Sequence, residues 1–172
     1  TGAGKGWTVL AVYLREKSGT QCIVSKGTAG SDTTDWRLFS EDAGVVWGSG
    51  AASDSNAWFR VTEPPANQPH LLAATLTQTG EAEGTKVFYI DGQPYFSETY
   101  ATKAPANDHP AVIGGFSASN GNLGGLVAEV LVYNRVLNED DLNNAGWYLQ
   151  QKYGMDGLFE YRAPRGTMIQ VR

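Results

Sequence analysis

A chain of 172 residues with 41% hydrophobic and 18% charged side chains is a single globular domain with room for a sizeable core, and it is too apolar to be disordered. Thirteen basic against 18 acidic residues give a net charge of −5. There is no basic run, which argues against nucleic acid as a partner because phosphate binding needs clustered Lys and Arg.

The first segment, Trp7 to Leu14, is apolar at nearly every position. A run that short predicts a strand buried on both faces rather than a helix. Ser18-Gly19 turns the chain into a second strand, Gln21 to Ser25. That strand holds Cys22, the only cysteine, so an intramolecular disulfide and a Cys-based zinc site are both excluded. Its apolar neighbours Ile23 and Val24 predict a buried thiol.

Lys26 to Asp35 reads as a polar loop, Trp36 to Phe39 and Val45 to Trp47 as short strands, Gly48 to Asn56 as a Gly/Ala/Ser loop, and Trp58 to Thr62 as a further strand. Pro64, Pro65 and Pro69 impose an extended connection, since proline cannot sit in a central ladder. His70 to Thr77 is another apolar strand. Val87 to Ile90 and Gln93 to Phe96 flank Asp91-Gly92, a pair suited to the positive φ angles of a type I′ hairpin turn. Ala111 to Gly115 and Leu126 to Tyr133 complete the main strands.

The apolar runs are far too short to span a bilayer, so no membrane insertion is expected. Asn138 can cap a helix, with Glu139, Asp140 and Asp141 complementing its positive end. Leu142, Ala145 and Leu149 share one helix face, and Gly154 provides a stop. One or two edge strands, Phe159 to Arg162 and Met168 to Val171, are expected in the tail. Glycine makes up 21 of 172 residues, about 12% against a usual level of roughly 7%. With about ten short strands at regular spacing, this predicts an all-β, two-sheet antiparallel sandwich or jelly roll with one C-terminal helix.

Four segments carry a family resemblance. They are WTVLAVYLREKSGTQCIVSKG (Trp7 to Gly27), KVFYIDG (Lys86 to Gly92), VIGG (Val112 to Gly115) and GLVAEVLVYNRVL (Gly125 to Leu137), followed by a helix ending in YLQQKYG. In this order they resemble laminin-G-like, concanavalin-A-like domains of bacterial type. The resemblance implies a jelly-roll domain over residues 1–154, with 155–172 as a tail, and a structural role for Glu129. The superfamily includes lectins, glycosidases, lyases and adhesion modules, so the residues of the site must decide the function.

A glycosidase needs two carboxylates across the scissile bond. Glu81 and Glu83 have the spacing but sit in a glycine-rich loop, and the family's Glu-x-Asp strand has no counterpart here. His70 and His109 are isolated and form no zinc or triad constellation. The expectation is therefore no enzymatic activity. Asp32, Asp35 and Asp54, with Asn56, lie in polar loops and supply hard oxygen ligands suited to calcium, which the superfamily often holds there.

The aromatic residues remain. A sugar presents an apolar C–H face that a ring can cover while polar groups bond its hydroxyls. Trp36, Trp47 and Trp58 are candidate stacking platforms, with Arg37 and Arg60 as hydrogen-bond donors. Trp36 and Arg37 point to opposite faces of one strand, whereas Trp58 and Arg60 share a face. Trp7 and Trp147 read as core or helix-packing residues.

The function expected is a non-catalytic, lectin-like module binding a polysaccharide or glycan. It would belong to a larger exported bacterial protein, secreted or at the cell surface beside neighbouring domains. A start at Thr1 rather than Met fits excision from a longer chain. The alternative is a structural or adhesion module with a protein partner.

Overall fold

The computed structural model describes residues 6–27, 36–42, 44–48, 58–79, 83–101, 110–116 and 121–161. Two five-stranded antiparallel sheets face each other. In the first, β10 (Gly125–Tyr133), β1 (Gly6–Arg15), β6 (Pro69–Gln78), β7 (Glu83–Ile90) and β8 (Gln93–Ala101) lie in that order. In the second, the order is β5 (Trp58–Val61), β4 (Gly44–Gly48), β3 (Trp36–Glu41), β2 (Gln21–Lys26) and β9 (Ala111–Ile113). Helix α1 spans Glu139–Tyr153. This is the jelly-roll sandwich with a C-terminal helix that the strand spacing predicts.

The unbroken apolar run of β1 follows from its central position. Val9, Ala11 and Tyr13 point into the core between the sheets, together with Leu72, Ala74 and Phe88 of the same sheet and Ile23, Leu38 and Val45 of the other. Leu10 and Val12 point the opposite way and join Leu71 and Ala73 in a second core. Burying each Val, Leu or Phe of these cores contributes about 1.5–3 kcal/mol, so neither face of β1 tolerates water.

The second core is closed by α1, through Leu142 and Leu149, and by Met155 and Phe159 beyond it. The Asn138 side chain accepts a hydrogen bond from the Asp141 N–H at 2.8 Å, as an N-cap should. Gly154, at φ 64°, ends the helix in the left-handed region. Gly146 faces the tail, where a Cβ would stand 2.7 Å from the Phe159 ring.

The buried Gln150 side chain fastens the same segment. Its amide donates to the Phe159 carbonyl at 2.7 Å, and its oxygen accepts from the N–H groups of Leu158 and Phe159 at 2.9 and 2.6 Å. Residues 159–161, where an edge strand was expected to start, are therefore irregular chain held against the helix. Residues 162–172, including the expected strand Met168 to Val171, lie outside the described residues.

The tip of the β7–β8 hairpin has φ of 49° at Asp91 and 78° at Gly92, the signature of a type I′ turn. Among the described residues, no helix is long and apolar enough to cross a membrane.

The link between β10 and α1 is fixed by Thr8. Its fully buried hydroxyl donates to the Arg135 carbonyl at 3.0 Å and accepts from the Leu137 N–H at 2.9 Å. Thr8→Val keeps the shape and leaves both backbone groups without that partner, the Leu137 N–H in a buried position. It should lower the unfolding free energy by about 1–3 kcal/mol, read from the midpoint of a urea titration. An unchanged midpoint would show that water or the chain replaces the hydroxyl.

Candidate functional site

Because α1 and its tail cover the outer side of the first sheet, the outer side of the second sheet is the face that no described helix or strand covers. Its composition follows from the alternation of β3. Trp36 and Leu38 enter the core between the sheets, so Arg37 and Phe39 face outward. The ladder then lays Cys22, Phe39, Val46 and Arg60 side by side across four strands.

Phe116 completes this face. Its ring meets Phe39 edge-on, with centroids 5.6 Å apart and an interplanar angle of 70°. The Arg37 guanidinium carbon lies 5.2 Å from the Phe116 centroid, within cation–π range. The segment carrying Phe116 is pinned to β2. Ser25 Oγ donates to the Gly115 carbonyl at 3.1 Å, the Gly114 N–H donates to Ile23 at 2.9 Å, and the Cys22 N–H donates to Gly121 at 2.8 Å. Gly121 has φ 64°, and a Cβ there would overlap the Phe116 ring. Glycine is thus required at that position for both reasons.

Burial sets the electrostatics of this face. Burial pulls the pKa of Arg37 below its ordinary value, but a guanidinium starts so high that the cation persists. Burial pushes the Cys22 thiol up to about 12, so it stays protonated and unreactive. Arg60 is half exposed and pairs with Glu41 of β3.

The carboxylates with assigned partners are engaged in structure. Glu63 lies 3.2 Å from Arg15. Glu129 accepts from Lys152 at 2.8 Å and Tyr153 at 3.0 Å, tying β10 to α1. The lysine hydrogen bond lowers the pKa of Glu129.

Of the sequence-predicted residues, Arg37 and Arg60 share this face, Arg37 buried beneath it and Arg60 half exposed. Trp36 does not. It is 6% exposed and packs in the core between the sheets, so its expected role as a stacking platform is corrected to that of a core residue. Trp47 pairs with Leu38 and Phe59, and Trp58 with Gly48, in the backbone ladder; their side chains lie outside what is described. Asp32, Asp35 and Asp54 lie outside the described residues. Among those described, no three His, Cys, Asp or Glu side chains are grouped to hold a metal. Phe39 and Phe116 are absent from the sequence-predicted set because they meet only through tertiary packing.

A profile described as the concanavalin A-like lectin/glucanases superfamily matches residues 2–143. No curated protein matches the sequence. Among solved structures, the Ruminococcus gnavus IT-sialidase CBM40, determined bound to alpha2,3 sialyllactose, is 17% identical with a TM-score of 0.58, covering 81% of each chain. Trypanosoma rangeli sialidase is 20% identical with a TM-score of 0.56, covering 87% of this chain but 23% of the enzyme. The binding domain of Botulinum neurotoxin DC, in complex with rat synaptotagmin II, is 12% identical with a TM-score of 0.62, covering 86% of this chain and 36% of that one. At these identities the likeness is one of fold.

Trp36→Ala should cost about 3–5 kcal/mol of stability, as a large core truncation does, measured by chemical denaturation. A near-neutral effect would return Trp36 to the surface.

Proposed function

The chain belongs to the concanavalin A-like lectin/glucanases superfamily, and on that premise we propose that it is a non-catalytic carbohydrate-binding module of a larger exported bacterial protein, gripping glycan on the outer face of the second sheet. The observation that carries the reading is the half-exposed Arg60 on that face, set beside a buried layer of Arg37, Phe39, Val46 and Phe116. Guanidinium groups donate several hydrogen bonds in a fixed fork, which fits a carboxylate or vicinal hydroxyls. An acidic glycan is therefore the preferred ligand. The sialyllactose bound by the R. gnavus module makes α2,3-sialyllactose the first probe.

The non-catalytic part of the reading is supported by the engagement of Glu63, Glu129 and Glu41 in ion pairs. Catalysis would need two carboxylates free to face a glycosidic bond.

A protein-binding role is the second reading. It draws on β10, an edge strand on which Leu126 and Val132 are 63% and 55% exposed. Open edges carrying apolar side chains invite pairing with another chain.

A glycan array on the purified domain separates the two. Glycan binding that weakens about 10- to 100-fold in Arg60→Ala supports the lectin reading, this being the worth of a lost charge-assisted hydrogen bond. The exposed Arg60–Glu41 pair adds at most about 1 kcal/mol of stability, so the variant should stay folded. Binding that ignores Arg60→Ala moves the site elsewhere. An empty array, with association in solution abolished by Val132→Lys, favours the protein partner. Running the array with calcium and with chelator tests the role expected for Asp32, Asp35 and Asp54; equal binding in both arms removes calcium from the reading.

A further inference from the structure

One end of the sandwich holds a cluster of ionisable groups that the proposed glycan face does not use. His70, at the start of β6, has a side chain only 7% exposed. Its Nδ1 lies 2.7 Å from Asp91 Oδ2, at the tip of the β7–β8 hairpin. Its Nε2 lies 2.8 Å from the carbonyl oxygen of Pro65, in the segment leading into β6. A carboxylate oxygen and a carbonyl oxygen both accept. A neutral imidazole has one N–H and can satisfy only one of them, whereas the imidazolium donates to both.

We propose that His70 is held as a doubly donating imidazolium that latches the segment through Pro65 to the β7–β8 turn, so that this end of the sandwich loosens as the pH rises past neutrality.

The surroundings agree. Tyr13 of β1 packs against the imidazole, with ring centroids 6.2 Å apart, and its hydroxyl donates to Glu63 at 3.3 Å. Glu63 is balanced by Arg15 at 3.2 Å. Burial pushes the Tyr13 hydroxyl far up, so it remains neutral. Burial alone would lower the pKa of His70. The hydrogen bonds to Asp91 and Pro65, with the charges of Asp91 and Glu63, outweigh that and raise it. Burial also raises the pKa of Glu63, against the pull of Arg15.

The latch joins more than two pieces. Asp91 Oδ1 accepts from the Leu71 N–H at 2.9 Å, and the Asp91 N–H donates to the Leu71 carbonyl at 2.8 Å. Gly92 lies so close to the Leu158 carbonyl that a Cβ would overlap it, which ties the turn to the chain after α1. A pocket of about 440 Å³, lined by Pro65, Gln68, His70, Asp91 and Met155 among others, opens beside the imidazole. It also brings Asp156 to that end of the domain.

The sign follows from the raised pKa of the folded state. Stabilisation is complete below the ordinary histidine value of about 6.5 and is lost as pH climbs through the higher, folded value. Glu63 titrates in the same direction, but from the lower carboxylate range.

Asp91→Asn isolates the histidine. Asn tolerates the left-handed turn conformation and keeps an oxygen for the Leu71 N–H. Its amide donates to Nδ1, so a neutral His70 can still donate to Pro65. The melting temperature of the wild type should fall between pH about 6 and about 9, with faster amide exchange at Leu71, while Asp91→Asn should be flat over that range. By NMR, the imidazole that disappears in His70→Asn should titrate above about 6.5 in the wild type and lower in Asp91→Asn. Parallel melting profiles, or a wild-type imidazole midpoint at or below about 6.5, would overturn the latch. If Asp91→Asn does not fold, the wild-type midpoint alone decides.

Discussion

Two strands that are apolar on both faces constrain the rest of this molecule. β1 and β6 sit at the middle of the first sheet, with Val9, Ala11, Leu72 and Ala74 on one side and Leu10, Val12, Leu71 and Ala73 on the other. Each side must be covered, or several kcal/mol of burial are lost. The second sheet covers one side. Helix α1 covers the other, with Thr8 fixing its approach and Gln150 fastening the chain beyond it. The two sheets are thereby made unequal. One has its outer side sealed by a helix; the outer side of the other packs Cys22, Arg37, Phe39, Val46 and Phe116 into a buried layer and leaves Arg60 half exposed.

On that second side, position follows from register. A strand that buries Trp36 and Leu38 must send Arg37 and Phe39 outward, and a ladder that sets Val46 beside Phe39 also sets Arg60 beside Val46. The loop bearing Phe116 is held by three backbone or hydroxyl hydrogen bonds to β2 and by a glycine that leaves room for the ring. The Arg37–Phe116 contact is thus set by rigid elements.

Much of this was legible in the sequence because it is local. The strand order of hydrophobicity, the Asp91-Gly92 turn, the Asn138 cap and the Gly154 stop are each written within a few residues, and each appears where expected. The opposition of Trp36 and Arg37 was also legible, as a period of two. Which of the two faced the core was not, because that depends on which side the other sheet lies. Long-range meetings left no local trace. Phe39 meets Phe116 across 77 positions, and His70 meets Asp91 across 21. His70 read as an isolated residue opening an apolar strand, and Asp91 as a turn former. Asp91 is a turn former, and its carboxylate also binds His70 and the Leu71 N–H because the hairpin folds back over the start of β6.

The central claim is that ligand meets the outer face of the second sheet. It is tested most directly by amide chemical-shift mapping during titration with α2,3-sialyllactose. The account predicts saturable shifts concentrated at Arg37, Phe39, Val46, Arg60 and Phe116, with α1 and β10 unmoved. Shifts centred on α1, on β10 or on the pocket beside His70, with the second sheet silent, would contradict it.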